Sequence, residues 1–391
     1  MKLTFHGGAQ MVTGANYLFE HDGVKILVDC GLHQGSNFCE RHNWEPFPYN
    51  PADIAAVFVT HAHIDHTGRL PTLVRDGFNG TVYSTAPTRD AAQLLLLDAD
   101  HLLAQEAEHL KKPVLFGERD VHALMERWKT VPYHQAVTVG PFTVTLYNAG
   151  HILGSSFVAI KAGGKTVVAS GDLGNAPAPI IGPWETFTGG ADYCLIESTY
   201  GDRVHEDVAQ RSQILEHLIE DTVKRRGALI IPAFAMERTQ ELLYELNELV
   251  ERGWVPHVPI YLDSPLAIKL TDVYERHADF FTPAARALAH GNPKSLFEFK
   301  GLHKTLTTEE SKKINDVPMP KVIIAGSGMS HGGRIVHHER RYLPDERSTL
   351  LIVGYQAAGS LGRQILDGAT SVRIFGEDVV VRCRGKAVGG Y

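Results

Sequence analysis

The stretch Ala55-Ala56-Val57-Phe58-Val59-Thr60-His61-Ala62-His63-Ile64-Asp65-His66 decides how this chain is read. Its first six residues are apolar or β-branched and predict a buried strand. Three histidines and an aspartate then crowd into the six residues that follow. Where a chain leaves a strand extended, residues i and i+2 point the same way. His61 and His63 can therefore grip one ion together. A turn into helix would redirect Asp65 and His66 toward a neighbouring position. Imidazole and carboxylate donors suit zinc, with one position left open for water. A lone histidine is more often a packed core residue than a ligand. Four candidate ligands in six residues at a strand end are not accounted for by packing.

Two more candidates lie downstream, each after a strand and beside glycine. His151 sits in Ala149-Gly150-His151-Ile152-Leu153-Gly154-Ser155, and Asp172 in Ser170-Gly171-Asp172-Leu173-Gly174. Glycine there lets backbone come close to a bound group. Gly154-Ser155-Ser156 reads only as a turn.

Outward from this centre, the first half alternates short strands with glycine turns. Residues 15–20 and 24–29 predict a hairpin around His21-Asp22-Gly23, and residues 70–75 and 88–110 predict helices. Strands are expected at 136–139, 142–147, 157–161, 166–170 and 193–197. Strands and helices segregated in this way make a layered sandwich. After Gly201 the texture changes to strand–helix alternation, with strands near 228–231, 260–263, 321–325 and 350–353. That pattern predicts a small doubly wound parallel sheet. A domain boundary is expected near residue 205, giving domains of 1–205 and 206–376.

Composition narrows the class. The 391 residues carry a formal net charge of −7, with 43% hydrophobic and 21% charged residues, an ordinary globular balance. An acidic chain does not coat nucleic acid non-specifically. The clusters Lys111-Lys112, Lys224-Arg225-Arg226, Lys312-Lys313 and Arg340-Arg341 read as solvated helix surface. Four cysteines without a C-x-x-C pair fit a reducing compartment rather than a disulfide scaffold. No stretch resembles a signal peptide or a membrane span, so the expectation is a soluble, cytoplasmic protein with no membrane partner.

His-x-His-x-Asp-His, then a lone His and a lone Asp after later strands, resembles the metallo-β-lactamase superfamily. Asp29 in Val28-Asp29-Cys30-Gly31 matches that family's early aspartate, which orients the site. Glu197-Ser198-Thr199-Tyr200-Gly201-Asp202 resembles the acidic motif of the β-CASP branch, which includes RNase J and the nuclease subunit of the cleavage-and-polyadenylation factor. Ile231-Pro232-Ala233-Phe234-Ala235, Leu262-Asp263-Ser264-Pro265, Gly326-Ser327-Gly328-Met329 and Gly354-Tyr355-Gln356 are similar to further landmarks of that branch. The resemblance implies an α/β fold: an αββα metallo-β-lactamase sandwich with an inserted β-CASP α/β domain. It implies two zinc ions per chain. His61, His63 and His151 would hold one, Asp65 and His66 the other, with Asp172 bridging. The implied reaction is hydrolysis of single-stranded RNA in a cleft between the domains, with Asp65, Glu197 and Asp29 as catalytic or orienting carboxylates and a homodimer as the assembly.

In the family the pattern continues with a Ser-(Ala/Gly)-His and a Val-His-Gly segment. This sequence reaches Gly389-Gly390-Tyr391 where the first would begin, so a C-terminally truncated chain with a weakened second zinc site and impaired activity is expected. Residues 377–391 are read as the start of a return to the first domain. Gly326–Arg334 follows a strand and precedes a helix, which favours an anion. Ser327, Gly328 and Arg334 are therefore candidate RNA-phosphate contacts. His331, His337 and His338 read as helix residues. Two other functions stay open: hydrolysis of a small ester or thioester on the same ligands, and non-catalytic RNA binding by a truncated relative. DNA in place of RNA also stays open.

Overall fold

Strand neighbours in the first half follow chain order almost without exception. The computed structural model describes residues 1–34, 40–174, 178–202, 209–289, 291–354, 356 and 359–388; Tyr355 and residues 389–391 of the landmarks above lie outside them. The chain divides into two compact units, Met1–Gly201 and Asp202–Tyr391.

In the first unit, β1 (Lys2–Phe5), β2 (Tyr17–His21), β3 (Val24–Val28), β4 (Ile54–Phe58), β5 (Thr81–Ser84) and β6 (Trp128–Thr130) form one sheet in that order. β1–β3 run antiparallel and β3–β6 parallel. The second sheet contains β7 (Ala136–Val139), β8 (Phe142–Asn148), β9 (Ser156–Ala162), β10 (Lys165–Ala169) and β11 (Tyr193–Leu195), ordered β11-β10-β9-β8-β7. Phe19, Ile26, Val28, Ala56 and Phe58 of the first sheet pack against Phe142, Leu146, Val158, Ile160 and Val167 of the second. That is the core of a sandwich. The described helices of this unit are α1 (Ile64–Thr67), α2 (Leu70–Arg75), α3 (Ala86–Leu110) and α4 (Glu118–Glu126). They lie in and between the crossovers joining parallel β4, β5 and β6, so they cover the face of the first sheet turned away from that core. From Ala56 onward β4 is buried on both faces, which explains its apolar character. The outer face of the second sheet buries Phe157, Ala159 and Val168 under Tyr147 and Phe187.

The second unit is an all-parallel sheet. β12 (Ala228–Pro232), β13 (Ile260–Asp263), β14 (Leu302–Lys304), β15 (Lys321–Ala325), β16 (Thr349–Ile352) and β19 (Arg384–Ala387) are ordered β14-β13-β15-β12-β16-β19. Helices α5 (Ala209–Arg225), α6 (Arg238–Glu251), α7 (Pro265–Arg276), α8 (Pro283–Leu288), α9 (Thr308–Lys313), α10 (Arg334–Tyr342) and α11 (Leu361–Leu366) alternate with the strands. β17 (Ser371–Ile374) and β18 (Glu377–Val380) form a hairpin. The described part of residues 377–391, expected to begin a return segment, pairs within the second unit. β18 pairs with β17, and β19 pairs with β16 from Thr349↔Arg384 to Ile352↔Ala387. The open edge of the parallel sheet takes up that segment. No helix among the described residues is long and apolar enough to cross a membrane.

Candidate metal centre

β4 delivers the histidines. Beyond Phe58 the ladder continues, Val59 N–H donating to Tyr83 O at 2.8 Å, the chain bends at Ala62, and His63 (φ −56°, ψ 148°) caps the single turn of α1. His61 and His63 thus lie on the strand exit, while Asp65 and His66 ride on the turn. Gly31 makes this possible: a Cβ there would lie 1.5 Å from the Asp65 carbonyl oxygen. The bare backbone lets Cys30 N–H donate to His66 O (2.9 Å) and Leu32 N–H to Ile64 O (3.0 Å).

His151 and Asp172 come from two loops clasped in the same way. A Cβ on Gly174 would lie 1.5 Å from Gly150 O, and Gly174 N–H donates to Ala149 O at 2.9 Å. The Ser155 hydroxyl accepts from the N–H of His151 (3.0 Å) and of Ile152 (3.2 Å). That bond fixes the turn presenting His151, a role the sequence reading missed. Glu197 accepts from Leu173 N–H (3.0 Å) and Thr199 N–H (3.3 Å). It holds the loop that carries Asp172.

The side chains converge. One donor atom each of His61, His63, His151 and Asp172 lie within 4.8 Å of one another. Asp172 Oδ2 is 3.7 Å from both His61 Nε2 and His151 Nε2. His63 Nδ1 lies 3.1 Å from His61 Nε2 and 3.2 Å from His151 Nε2. The other oxygen of Asp172, Oδ1, lies 3.3 Å from His66 Nε2, and Asp65 Oδ2 lies 3.8 Å from the same nitrogen. Asp172 thus faces one donor set with each oxygen.

Behind the rings, the fully buried Asp29 accepts from Thr60 N–H (2.8 Å), the Thr60 hydroxyl (2.8 Å) and His66 Nδ1 (2.7 Å). Burial pushes His61 well below its ordinary pKa. Burial acts the same way on His66, but the carboxylates of Asp172, Asp29 and Asp65 outweigh it and hold that imidazole well above its ordinary range. Burial would raise Asp172, yet His66 and His61 hold it well below the usual carboxylate range; with 32% of its side chain still exposed, solvent screens part of that pull. Asp65 is raised by burial. Three carboxylates focused on histidine rings make a field that favours a cation. The donor set, all imidazole and carboxylate, fits zinc.

Comparison with known proteins agrees with this geometry. Residues 18–174 match the model of a metallo-beta-lactamase superfamily domain, and residues 239–365 match that of a Beta-Casp domain. The chain is 38% identical to Ribonuclease TTHA0252 of Thermus thermophilus, across 100% of this chain and 88% of the relative. The chain belongs to the metallo-β-lactamase superfamily, in its β-CASP branch. It is also 32% identical to the Transcription termination factor FttA of Methanosarcina mazei over 97% of its own length, and spans 60% of that longer protein. The Thermus match runs through this chain from end to end and lends no support to the expected truncation. A solved protein of unknown function from Enterococcus faecalis shares the fold at 13% identity, with a TM-score of 0.52 over 99% of this chain and 88% of that one.

In the β-CASP domain the described landmarks gather at the carboxyl ends of adjacent strands. Pro232 of β12 and Asp263 of β13 both pair with Ala325 of β15. The ring of Phe234 lies where a Cβ on Gly328 or Gly354 would fall, and Gln356 Nε2 donates to Gly328 O at 2.8 Å. Parallel sheets place ligands at this edge. Ser327 takes part in the loop itself, its hydroxyl accepting from His331 N–H at 3.2 Å. Arg334 departs from expectation. Its guanidinium donates to Asp263 Oδ1 (2.7 Å), Thr305 O (3.0 Å) and Leu306 O (2.8 Å). These bonds use the fork that a phosphate would need. His338 is buried against the same carboxylate at 2.7 Å, and the His337 ring lies tilted against Phe375.

Proposed function

We propose that this chain is a zinc-dependent ribonuclease hydrolysing RNA phosphodiester bonds. The observation that carries the reading is Asp172, whose two oxygens face two separate sets of donors. His61, His63, His151 and Asp172 would hold one zinc; Asp65, His66 and Asp172 would hold the second. When bound, a zinc pair supplies a water deprotonated near neutral pH and neutralises charge on the phosphate oxygens. The chain's own residues prepare the site. Asp29 orients His66, Glu197 braces the Asp172 loop through Leu173 N–H, and Ser155 holds the His151 turn. The second set has three protein donors among the described residues against four in the first, so it binds the weaker zinc. RNA as substrate is supported by the ribonuclease relative, and the single-stranded form is part of the proposal. Ser327 and Gly328, at the carboxyl edge of the parallel sheet, are proposed phosphate contacts; Arg334 is left out because Asp263 occupies it.

The test pairs zinc content per chain with cleavage of a labelled single-stranded RNA. Two zinc per chain, with cleavage abolished in His63→Ala, is the expected result. Stoichiometric zinc with no cleavage of RNA but turnover of a thioester would move the chain to the other hydrolase class.

A further inference from the structure

We infer that Thr60 is a positioning residue that couples both donor sets to the single carboxylate of Asp29. This rests on the reading of His61 and His66 as metal ligands. The argument is one of counting hydrogens. An ionised carboxylate only accepts, and a hydroxyl has one hydrogen to give. Asp29 Oδ1 takes the Thr60 N–H, and Oδ2 takes both the Thr60 hydroxyl and His66 Nδ1–H. Thr60 Oγ1 has then spent its hydrogen. Toward His61 Nδ1, 3.0 Å away, it can only accept. His61 must carry its proton on Nδ1, which leaves the Nε2 lone pair facing Asp172 and His63. His66 is set in the same sense by Asp29 directly. One buried carboxylate therefore orients a ring in each donor set, the first through the Thr60 hydroxyl and the second directly at 2.7 Å, with the same hydroxyl 3.4 Å from His66 Nδ1.

The surroundings of Thr60 are closely packed. Thr60 is fully buried, and its carbonyl accepts from Ser156 N–H at 2.7 Å and from the Ser156 hydroxyl at 3.1 Å. Across from it, a Cβ on Gly171 would come within 2.8 Å of Thr60 Cβ. The threonine is wedged, and the imidazole partner it selects is fixed with it.

The test compares wild type, Thr60→Val and Thr60→Ser by competition for zinc against a chromophoric chelator, on the full chain. Valine keeps the shape and removes the hydroxyl; serine keeps the hydroxyl. Thr60→Val should weaken the first equivalent of zinc by about 10–100-fold, the range for lost partners of ligating histidines, while Thr60→Ser stays near wild type. Wild-type affinity in Thr60→Val overturns the inference, as does an equal loss in Thr60→Ser, which would assign the effect to packing. Wild type that takes up no zinc sinks the metal reading itself, and the inference with it. Should Thr60→Val fail to fold, nitrogen-15 histidine spectra of metal-free wild type decide. A neutral His61 protonated on Nδ1 is expected, and protonation on Nε2 overturns the assignment.

Discussion

Asp172 in the first unit and Asp263 in the second both stand at the end of a strand beside histidine, and they keep opposite company. Asp263 accepts from His338 (2.7 Å), Arg334 (2.7 Å), Ser311 (2.6 Å) and Thr305 (2.6 Å). Burial would raise its pKa, but these four donors hold the carboxyl below its ordinary range. Among the described residues the ion-pair partners of Asp172 are all histidines. A guanidinium brings a permanent charge and a fork of donors. An imidazole brings a lone pair as readily as a proton. The first arrangement is complete without a ligand; the second is completed by a cation. The same residue types therefore make a structural clasp in one unit and a metal centre in the other. Arginine and hydroxyl donors decide which.

The largest expected effect tests the open side of that contrast. Asp172→Asn keeps the shape but loses the charge facing both donor sets. Zinc per chain should fall below two, and RNA cleavage should drop by about 10³-fold, since metal-assisted charge stabilisation is worth several kcal/mol. Full zinc loading in this variant would remove Asp172 from the bridge. Next comes the closed side. Asp263→Ala strands Arg334 and His338, both largely buried, and breaking such a pair costs about 3–5 kcal/mol. For a unit of this size that lowers the melting temperature by roughly 10 °C, with zinc content unchanged. Loss of zinc together with stability would break the comparison, because the two clusters would then not be independent.

The smallest effect sharpens it through a third carboxyl. Glu339 on α10 is fully buried, its carboxyl accepting from the Ser330 hydroxyl (2.5 Å), and burial pushes it up to about 8. Its ordinary value, 4.5, applies to the unfolded chain. The native state therefore binds a proton that the unfolded state releases above pH 4.5. The contribution to stability is full below that pH and is lost progressively as pH rises to 8, the loss reaching about 3 kcal/mol at pH 7. Glu339→Gln should remove this decline. Denaturant titrations should show variant and wild type diverging as pH rises from 5 to 8, with the variant more stable. Parallel curves would mean that Glu339 is solvated more than its burial suggests.

The sequence carried the ligands further than it carried their surroundings. His61, His63, Asp65 and His66 were legible because strand exit and helical turn have different side-chain periods, and both fall within six residues. Arg334 was misread because the sequence does not say that β13 lies beside β15. Only that adjacency sets Asp263 against α10. Thr60 looked like the last residue of a strand, and Ser155 like any turn residue. Each acts through one hydroxyl placed by tertiary contacts, and no spacing announces that. Gly174 was visible as a glycine beside a candidate ligand and Gly31 as one beside Asp29, but the backbone each admits is that of another loop. Residues 377–388 followed the same rule: a short strand pattern does not name its sheet, and the free edge of β16 claimed β19.

The order of strands also sets the order in which the molecule can be built. In the first unit nearly every strand pairs with one made just before it, so each ladder can close as the chain leaves the ribosome. In the second, β12 is made first and lies between β15 and β16, so the central strand waits roughly a hundred residues for its partners. Closing such long loops is slow and leaves apolar edges uncovered meanwhile. A nascent chain of this protein thus carries a finished metal-binding half while Ile230 and Ile231 still await β15 and β16, and that interval is when it is most exposed to aggregation or to a chaperone.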